Sequence, residues 1–297
     1  MVISRNNYRK RNKSSFRLVK IIICLVIIGV ASYCSFSYIN SQYQIQKEKQ
    51  IALDKKKAEE AAAAAKEAKR KEPVYITLPG AQPVRAIVED YSLNSSIWKI
   101  VNKTFSIPLE YIPEPLIIPN VATNTEKSDE ERSVRTDIAD PLKTMFDAAS
   151  TFGYQLMIGS GYRSSSLQAY YFDSLSASVG EEEANISTAR PGQSEHQTGL
   201  AVDISTVSRE CYLDECFADT DDGKWLENNS YLYGFILRYP EGKESITGYM
   251  YESWHFRYVG IELATAIHDS GLTYDEAWTY IETALNTLIN NGAVVRP

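Results

Sequence analysis

The pattern of apolar and polar positions divides the chain into three parts. Residues 21–39 form an uncharged, mostly apolar run of about the length that a helix needs to cross a bilayer. Residues 41–72 are dominated by Lys, Glu, Gln and Ala, and this composition predicts a solvated helical stalk. From residue 73 onward, large apolar side chains recur with the spacings of helices and strands, which predicts a folded part.

The folded part begins with a proline-rich segment. Prolines recur through residues 73–124, which favours an extended connection at the domain edge with short ordered pieces. The charged stretch 126–135 is predicted to be an exposed loop. We therefore place the main domain at residues 125–297.

Helices and short strands alternate within residues 125–297. Asp140-Pro141 is typical of an N-cap followed by proline at the first helical position, and Gly153 ends this helix. Residues 167–178 are predicted to form a second helix. Two helices are predicted to close the domain, and the second begins with a capping box from Thr273 to Glu276. The predicted strands are Tyr154–Gly159, Leu200–Ile204, Gly234–Tyr239 and His255–Val259.

Two of these strands place polar side chains on the face opposite their apolar residues. Alternation from Leu200 to Ile204 puts Asp203 on the face away from the apolar side chains. Alternation in the last strand groups His255 with Arg257. Glu252 precedes that strand, so a bend must aim its side chain.

Charge is distributed unevenly along the chain. The formal net charge is −7, but residues 1–20 carry seven Lys/Arg and no acid, and residues 73–297 carry 15 basic and 32 acidic residues. An acidic folded part without a basic stripe argues against nucleic-acid binding. Basic residues before the apolar run predict that residues 1–20 are a cytoplasmic tail and that everything after residue 39 lies outside, as in a single-pass protein of the cell membrane. A cleaved signal peptide is the alternative, and the lack of a small-x-small site favours the anchor.

The four cysteines fall into two pairs. Cys24 and Cys34 lie in the apolar run, whereas Cys211 and Cys216 lie in an acidic loop. A spacing of five is unlike the CxxC of zinc ribbons and redox motifs. A local disulfide and two free thiols both remain open for Cys211 and Cys216, because the sequence does not give the distance between their Cα atoms.

Three histidines are present, and two of them belong to segments that also carry a carboxylate at a distinctive spacing. His196 precedes Asp203 by seven residues, and His255 follows Glu252 by three. Two His and one Asp are ligands that leave a fourth position open on zinc, and a nearby Glu can act as general base. The spacing differs from the helical H-E-x-x-H arrangement, so the ligands would come from a sheet and its loops. The alternative is that each is a hydrogen-bonded structural histidine, which is our interpretation of His268.

Three ordered blocks carry a resemblance to a known family. They are Ser160-Gly-Tyr-Arg-Ser164 with Gln168, Ser194-x-His-x-x-Gly-x-Ala-x-Asp203, and Glu252-x-Trp-His255 followed by Arg257-Tyr-Val-Gly260. With these blocks the chain resembles the VanY-type zinc D-alanyl-D-alanine carboxypeptidases over about residues 101–260. Their superfamily, the hedgehog-like or LAS peptidases, also includes D-Ala-D-Ala dipeptidases and the hedgehog signalling domain. The resemblance implies an α+β fold, with one catalytic domain built on a small antiparallel sheet flanked by helices.

The resemblance also implies a role for each motif residue. It makes His196, Asp203 and His255 the zinc ligands and Glu252 the general base. Arg163 would stabilise an oxyanion or hold the substrate, because a fixed guanidinium suits both tasks. The resemblance further assigns substrate contacts to Gln168 and Ser194. Two departures, Ser253 in place of the usual proline and Ser165 in place of a common aromatic residue, bear on substrate preference more than on activity.

The implied function is a membrane-anchored zinc carboxypeptidase that removes the C-terminal D-Ala from peptidoglycan stem peptides. An L,D-carboxypeptidase acting on tetrapeptide stems, or a cell-wall endopeptidase, would share the same chemistry. A zinc-stabilised binding module without catalysis is a further alternative. Glu252 and Arg163 discriminate against that last alternative, because a structural zinc site needs neither residue.

Overall fold

The computed structural model describes residues 6–86 and 94–292, with side chains from residue 16 onward. The chain divides into two compact units, Met1–Ala68 and Lys69–Pro297. The helices within the described ranges are α1 (Asn6–Lys71), α2 (Asp129–Arg132), α3 (Thr136–Thr151), α4 (Ser165–Val179), α5 (Glu181–Ser187), α6 (Asp221–Asn229), α7 (Glu244–Thr247), α8 (Ile261–Ser270) and α9 (Tyr274–Asn290). The strands there are β1 (Tyr75–Ile76), β2 (Val84–Arg85), β3 (Leu116–Ile117), β4 (Val134–Arg135), β5 (Leu156–Ser160), β6 (Ala201–Thr206), β7 (Phe235–Leu237) and β8 (His255–Tyr258).

The described residues of the first unit belong to the long helix α1, which contains the predicted membrane span and all but the last residue of the predicted stalk. The apolar side chains of residues 21–39 are exposed, with Ile21 57% and Leu25 63% accessible, and such a surface is suited to a bilayer rather than to water. In the stalk part, Lys55 and Lys56 pair with glutamates one turn later. By its length and composition α1 is a candidate membrane span or signal sequence.

The second unit is built on a four-stranded antiparallel sheet with the strand order β5-β6-β8-β7. The predicted α+β fold with a small antiparallel sheet and flanking helices is confirmed. Each of the four predicted strands is present, although the observed strands are shorter or shifted at their ends by up to two residues. Register places Asp203 on β6 directly opposite His255 on β8.

The sheet has one apolar face, which packs against helix α3. Leu200, Val202 and Ile204 are fully buried there with Leu142 and Met145 of the helix. The predicted alternation along β6 is therefore confirmed for its apolar side. The opposite face carries the polar residues of β6 and β8.

A second apolar cluster joins the C-terminal helices to the start of the unit. Most of its members come from β1, β2, α8 and α9, together with Trp98 and Ile100 from the proline-rich segment. The Trp98 indole donates to the Val259 carbonyl at 2.8 Å, and Tyr274 donates to the Trp98 carbonyl at 2.6 Å. The predicted capping box of Thr273 and Glu276 opens α9, so that prediction is confirmed.

Two local predictions were wrong. Helix α3 begins at Thr136, and Pro141 lies inside it rather than at its first position. The helix starts earlier because β4 pairs with β3 immediately before it and because the added turn buries Ile138. The stretch 126–135 is not an exposed loop throughout, since it forms α2 and β4 and buries Glu131 and Arg135.

The acidic loop after β6 is closed by a disulfide between Cys211 and Cys216, whose Cα atoms lie 5.5 Å apart. This resolves the alternative that the sequence left open. The Ser253 hydroxyl donates to the Asp214 carbonyl at 3.3 Å, so the disulfide loop contacts the turn before β8. The loop therefore packs beside the segment that carries Glu252 and His255.

Candidate active site

The site is assembled by one short turn and two neighbouring strands. A 3-10 turn over Glu195–Thr198 carries His196, and Gly199 ends it with a φ of 68°, which suits glycine. The chain then enters β6, which presents Asp203. Since His255 begins β8 at the position paired with Asp203, strand pairing brings the two side chains together.

The three predicted ligand residues converge. His196 Nε2 lies 3.3 Å and His255 Nδ1 lies 3.2 Å from Asp203 Oδ1. The three candidate ligand atoms all lie within 4.8 Å of one another, and all three residues are buried. Ligands about 2.0–2.1 Å from a tetrahedral zinc ion are about 3.3 Å apart, so the two distances to Asp203 fit such an ion.

Unsatisfied polar atoms support the same interpretation. Among the described residues, His196 Nε2 and Asp203 Oδ1 are buried without a hydrogen-bond partner. Buried polar atoms are nearly always paired, and orphans that point at one place indicate a missing partner. Two imidazoles and one carboxylate are one of the donor sets that hold zinc in open sites.

The backbone fixes which nitrogen of His196 faces the cluster. His196 Nδ1 lies 2.6 Å from the carbonyl oxygen of Gly161, to which it donates, so the Nε2 lone pair is free to bind a metal. Gly161 lies close to the chain before β4, and a Cβ at this position would overlap the Ser133 carbonyl oxygen. The close approach explains why glycine occupies position 161 in the first sequence block.

Charges in the cluster shift the pKa values of its members. Burial lowers the pKa of His196 to about 4, with a contribution from Arg163. Burial alone would raise the pKa of Asp203, but the two neighbouring histidines hold it well below its usual range. Burial likewise opposes protonation of His255, yet Asp203, Glu195 and Glu252 around it raise its pKa to about 9. His196 and Asp203 are therefore in the ligand form at neutral pH, whereas His255 would lose a proton on binding a metal.

Glu252 lies beside the cluster rather than within it. Its backbone N–H donates to the Tyr239 carbonyl at 3.1 Å, which fixes the turn before β8. Its carboxylate oxygen Oε2 lies 3.4 Å from His255 Nδ1. Burial raises the pKa of Glu252 to about 7, although His255 opposes that shift. A carboxyl with a pKa near neutrality is suited to both accepting and donating a proton.

Arg163, Gln168 and Ser194 line the same pocket as Glu252 and the two histidines. Arg163 Nε is buried with no hydrogen-bond partner within the described ranges, and its guanidinium lies 5.7 Å from the centre of the Tyr171 ring. Gln168 donates from Nε2 to the Ala189 carbonyl at 2.8 Å. Six of the seven residues singled out in the sequence thus line one pocket, and the seventh, Asp203, contacts the two histidines.

Several residues of the pocket wall were missed by the sequence analysis. Tyr239 and Tyr249 line it, and the Tyr239 ring centre lies 4.9 Å from that of His255. Glu195 and Arg238 were also missed, although both are buried at the site. An arginine within the apolar run from Gly234 to Tyr239 was the available signal, because a buried arginine needs a buried acid.

An α+β domain with a His-Asp-His cluster beside a glutamate is typical of a metallohydrolase. Residues 131–261 match the family VanY, described as D-alanyl-D-alanine carboxypeptidase. The chain belongs to this family.

The similarity to known proteins covers more of the chain than residues 131–261. The chain is 49% identical over 181 residues to the putative carboxypeptidase YodJ of Bacillus subtilis (strain 168), covering 61% of this chain and 66% of that protein. It is 36% identical over 186 residues to a D-alanyl-D-alanine carboxypeptidase of Enterococcus faecalis, covering 60% and 63% of the two chains. The chain thus spans just under two thirds of the length of these relatives.

A solved structure of the LdcB LD-carboxypeptidase, described in terms of peptidoglycan recognition, is also similar. It shares 48% sequence identity with this chain and a TM-score of 0.60, and the match covers 63% of this chain and 87% of that one. The relatives therefore include proteins named for both D,D and L,D activity.

Proposed function

We propose that this protein is a zinc-dependent carboxypeptidase that removes the C-terminal D-Ala from peptidoglycan stem peptides. One observation carries the proposal: three ligand atoms from His196, Asp203 and His255 converge beside the Glu252 carboxylate. This arrangement joins a metal-ligand set with an open position to a general base, which a purely structural site does not need.

The residues divide the work of hydrolysis. Zinc held by the two histidines and Asp203 would supply a Lewis acid for the scissile carbonyl. Glu252 takes a proton from the attacking water and delivers it to the leaving amine. Arg163, which has no ion-pair partner among the described residues, offers its guanidinium to the developing oxyanion or to the terminal carboxylate of the peptide.

The groups that line the pocket are suited to binding the C-terminal end of a peptide substrate. Gln168 and Ser194 offer polar groups beside Arg163, and the rings of Tyr239 and Tyr249 form the wall near His255. Gln168 Oε1 has no hydrogen-bond partner in the described part of the chain, so it is free to accept from a substrate N–H. These groups support binding of a short terminal residue with a free carboxylate.

L,D-carboxypeptidase activity on tetrapeptide stems is the second candidate. It is supported by the similarity to the LdcB LD-carboxypeptidase, while the relative in Enterococcus faecalis supports D,D activity. The two reactions use the same ligands, base and guanidinium, and they differ in the chirality of the residue before the scissile bond.

The test is mass spectrometry of muropeptides after digestion by the zinc-loaded protein. Pentapeptide and tetrapeptide stems are offered separately, and loss of one alanine mass identifies the bond that is cleaved. The control is Glu252→Ala, which should leave both stems intact. If the wild-type protein releases alanine from neither stem, the proposal is wrong.

The charge pattern around α1 supports a proposal for the cellular location of the protein. We propose that residues 21–39 anchor the protein in the cell membrane, with residues 1–20 in the cytoplasm and the catalytic unit outside. The seven basic residues before the apolar run support this orientation. Peptidoglycan would then be within the compartment of the catalytic unit.

A further inference from the structure

Glu195 is a buried carboxylate beside the cluster to which the proposed mechanism gives no role. Its side chain has no solvent exposure, and neither have those of Arg238 and Arg257. Oε1 of Glu195 accepts from Arg238 Nε at 2.8 Å and from Arg257 Nη1 at 2.9 Å. Two guanidinium groups therefore fix this carboxylate in one position.

The other oxygen of Glu195 faces a metal-ligand histidine. Oε2 lies 3.8 Å from His255 Nε2, and within residues 6–86 and 94–292 both atoms are buried without a hydrogen-bond partner. Two facing orphans of this kind are uncommon, because each unsatisfied buried group costs about 1–3 kcal/mol. A shift of roughly 1 Å in the ring would close the gap to a normal hydrogen bond.

The tautomer of His255 determines what the two atoms can do. Its Nδ1 faces Asp203, so a metal bound there takes the Nδ1 lone pair and the proton resides on Nε2. That proton points at Glu195. A carboxylate that accepts from the outer nitrogen of a metal-bound imidazole fixes the ring and raises its basicity as a ligand.

We propose that Glu195 is a positioning residue for the metal site, which accepts a hydrogen bond from His255 Nε2 and thereby raises the affinity for zinc. The inference rests on the proposed zinc site and adds to it a fourth buried side chain that does not touch the metal. Glu195 lies next to the ligand His196, so one short turn supplies both a ligand and the support of another ligand.

The support continues away from the metal to helix α9. Arg238 donates to Asp275 at 2.5 Å, and Asp275 also accepts from Asn102 at 2.7 Å. Arg257 donates to the carbonyls of Ile97 and Lys99 at 3.0 and 2.8 Å. Two acids and two arginines thus form a charge-balanced network. Each guanidinium binds Glu195 and also a second acceptor, which is Asp275 for Arg238 and backbone carbonyls for Arg257.

Asp275 provides a matched control for Glu195. Both acids bind Arg238, but in the described part of the chain only Glu195 approaches a proposed zinc ligand. The variants Glu195→Gln and Asp275→Asn each remove one negative charge from the same arginine. A merely structural role predicts similar effects of the two substitutions, whereas the positioning role predicts different effects on zinc affinity.

The experiment measures zinc affinity of the full chain in detergent by competition with a chromophoric chelator, alongside the melting temperature of the zinc-free protein. We expect both variants to melt at lower temperature, and Glu195→Gln alone to bind zinc about 10-fold to 100-fold more weakly. Equal zinc affinity of Glu195→Gln and wild type, or equal weakening in Asp275→Asn, would overturn the inference. If wild type itself binds no zinc, the proposed function fails instead.

A second variant covers the case in which Glu195→Gln does not fold. Glu195→Asp keeps the charge that Arg238 and Arg257 need, but its shorter chain withdraws the carboxylate from His255. It should fold and still bind zinc more weakly than wild type. Wild-type affinity in this variant would overturn the inference. Proton NMR of the zinc-loaded wild type should also show a downfield His255 Nε2–H signal, which is absent from the variant.

Discussion

His196 and His255 belong to one cluster, yet the protein fixes their rings by different means. The Gly161 carbonyl binds the outer nitrogen of His196, whereas carboxylates surround His255 on both ring nitrogens. The pKa of His196 is lowered because burial and the nearby Arg163 outweigh its one carboxylate neighbour, Asp203, whereas three carboxylates around His255 raise its pKa despite burial. Substituting His255 therefore removes a charged side chain from the metal-free cluster, whereas substituting His196 removes a neutral one.

The proposed base role of Glu252 predicts a large loss of activity in Glu252→Gln. The amide keeps the shape of the side chain but cannot accept a proton, so turnover should fall about 100-fold to 10,000-fold while zinc stays bound. The measurement is alanine release per zinc-loaded protein. Glu241→Gln, a change at an exposed glutamate, is the control and should keep full activity. Full alanine release by Glu252→Gln would exclude the base role of Glu252.

Glu131 gives a pH dependence of stability. Burial opposes its ionisation, but Lys127, Tyr171 and Ser128 bind the carboxylate and lower its pKa from 4.5 to about 2. Because the folded pKa is depressed, the stabilisation is present above about 4.5 and is lost as the pH falls towards 2.

We therefore expect Glu131→Gln to lower the free energy of unfolding at pH 7, and the difference from wild type to disappear near pH 2. Urea unfolding at pH 7, 4 and 2.5 measures this. Glu126→Gln, at a carboxylate 72% exposed, is the control with little effect at any of these pH values. A difference that stays constant with pH would contradict the assignment.

At the scale of elements, the residue before β4 and the residue after β5 make one close backbone approach. Gly161 follows β5 and passes so near to the backbone of Ser133 that a side chain there has no space. Its carbonyl also binds His196, so the position links packing to the ligand set.

Gly161→Ala should lower the free energy of unfolding by about 3 kcal/mol, because the methyl group meets a backbone oxygen that cannot move aside. Gly159→Ala, two residues earlier in β5, is the matched control. Its methyl group would mainly meet the flexible Leu213 side chain at 3.2 Å, so the loss should be smaller. Chemical denaturation of both variants measures the difference, and equal losses would count against the backbone overlap.

The disulfide between Cys211 and Cys216 should contribute to the stability of the folded unit. The bond between Cys211 and Cys216 closes a short loop, for which the entropic stabilisation is about 2 kcal/mol. The double variant Cys211→Ser with Cys216→Ser should therefore unfold at a lower urea concentration than wild type. Reductant should move wild type to the same midpoint and leave the variant unchanged. An unchanged wild-type midpoint would show that the bond adds nothing to stability.

Sequence patterns predicted the elements where local and tertiary preferences agree. Alternation along Leu200–Ile204 gave the correct faces because one side of the sheet is buried against α3. The same reasoning failed at Asp140-Pro141, since burial of Ile138 outweighed the preference of proline for a helix start. Glu195 could not be predicted, because its partners Arg238 and Arg257 lie 43 and 62 residues away and only folding brings them together.

At the scale of the whole molecule, the chain joins a long apolar helix to a unit with its own apolar clusters. The two parts have opposite surface chemistry, because the side chains of residues 21–39 are exposed and apolar while the folded part carries an excess of acidic residues. By its length and composition, α1 is a candidate for a membrane span or a signal sequence.

We expect the full chain to fractionate with membranes and to resist alkaline carbonate extraction. Replacing Leu25 and Ile28 by arginine should release it, because an arginine at the centre of a spanning helix costs about 2.5–3.5 kcal/mol in insertion. Tyr43→Arg and Ile45→Arg, outside the predicted span, are the matched control. Intact-mass measurement of the protein from both the membrane and the soluble fraction separates the alternatives, since loss of the N-terminal residues would indicate a cleaved signal peptide.

The pairing of Asp203 with His255 across β6 and β8 has a consequence for the sheet itself. A slip of β8 by one residue would turn His255 towards α3 and bring Phe256 to the polar face, because neighbouring residues of a strand face opposite ways. A metal ion bound by both strands would stabilise the observed register of β6 and β8, because only that register brings the ligands together. The edge of the sheet formed by β7 and β8 would then open more easily to proteases where zinc is scarce, so metal supply would control the lifetime of the protein as well as its activity.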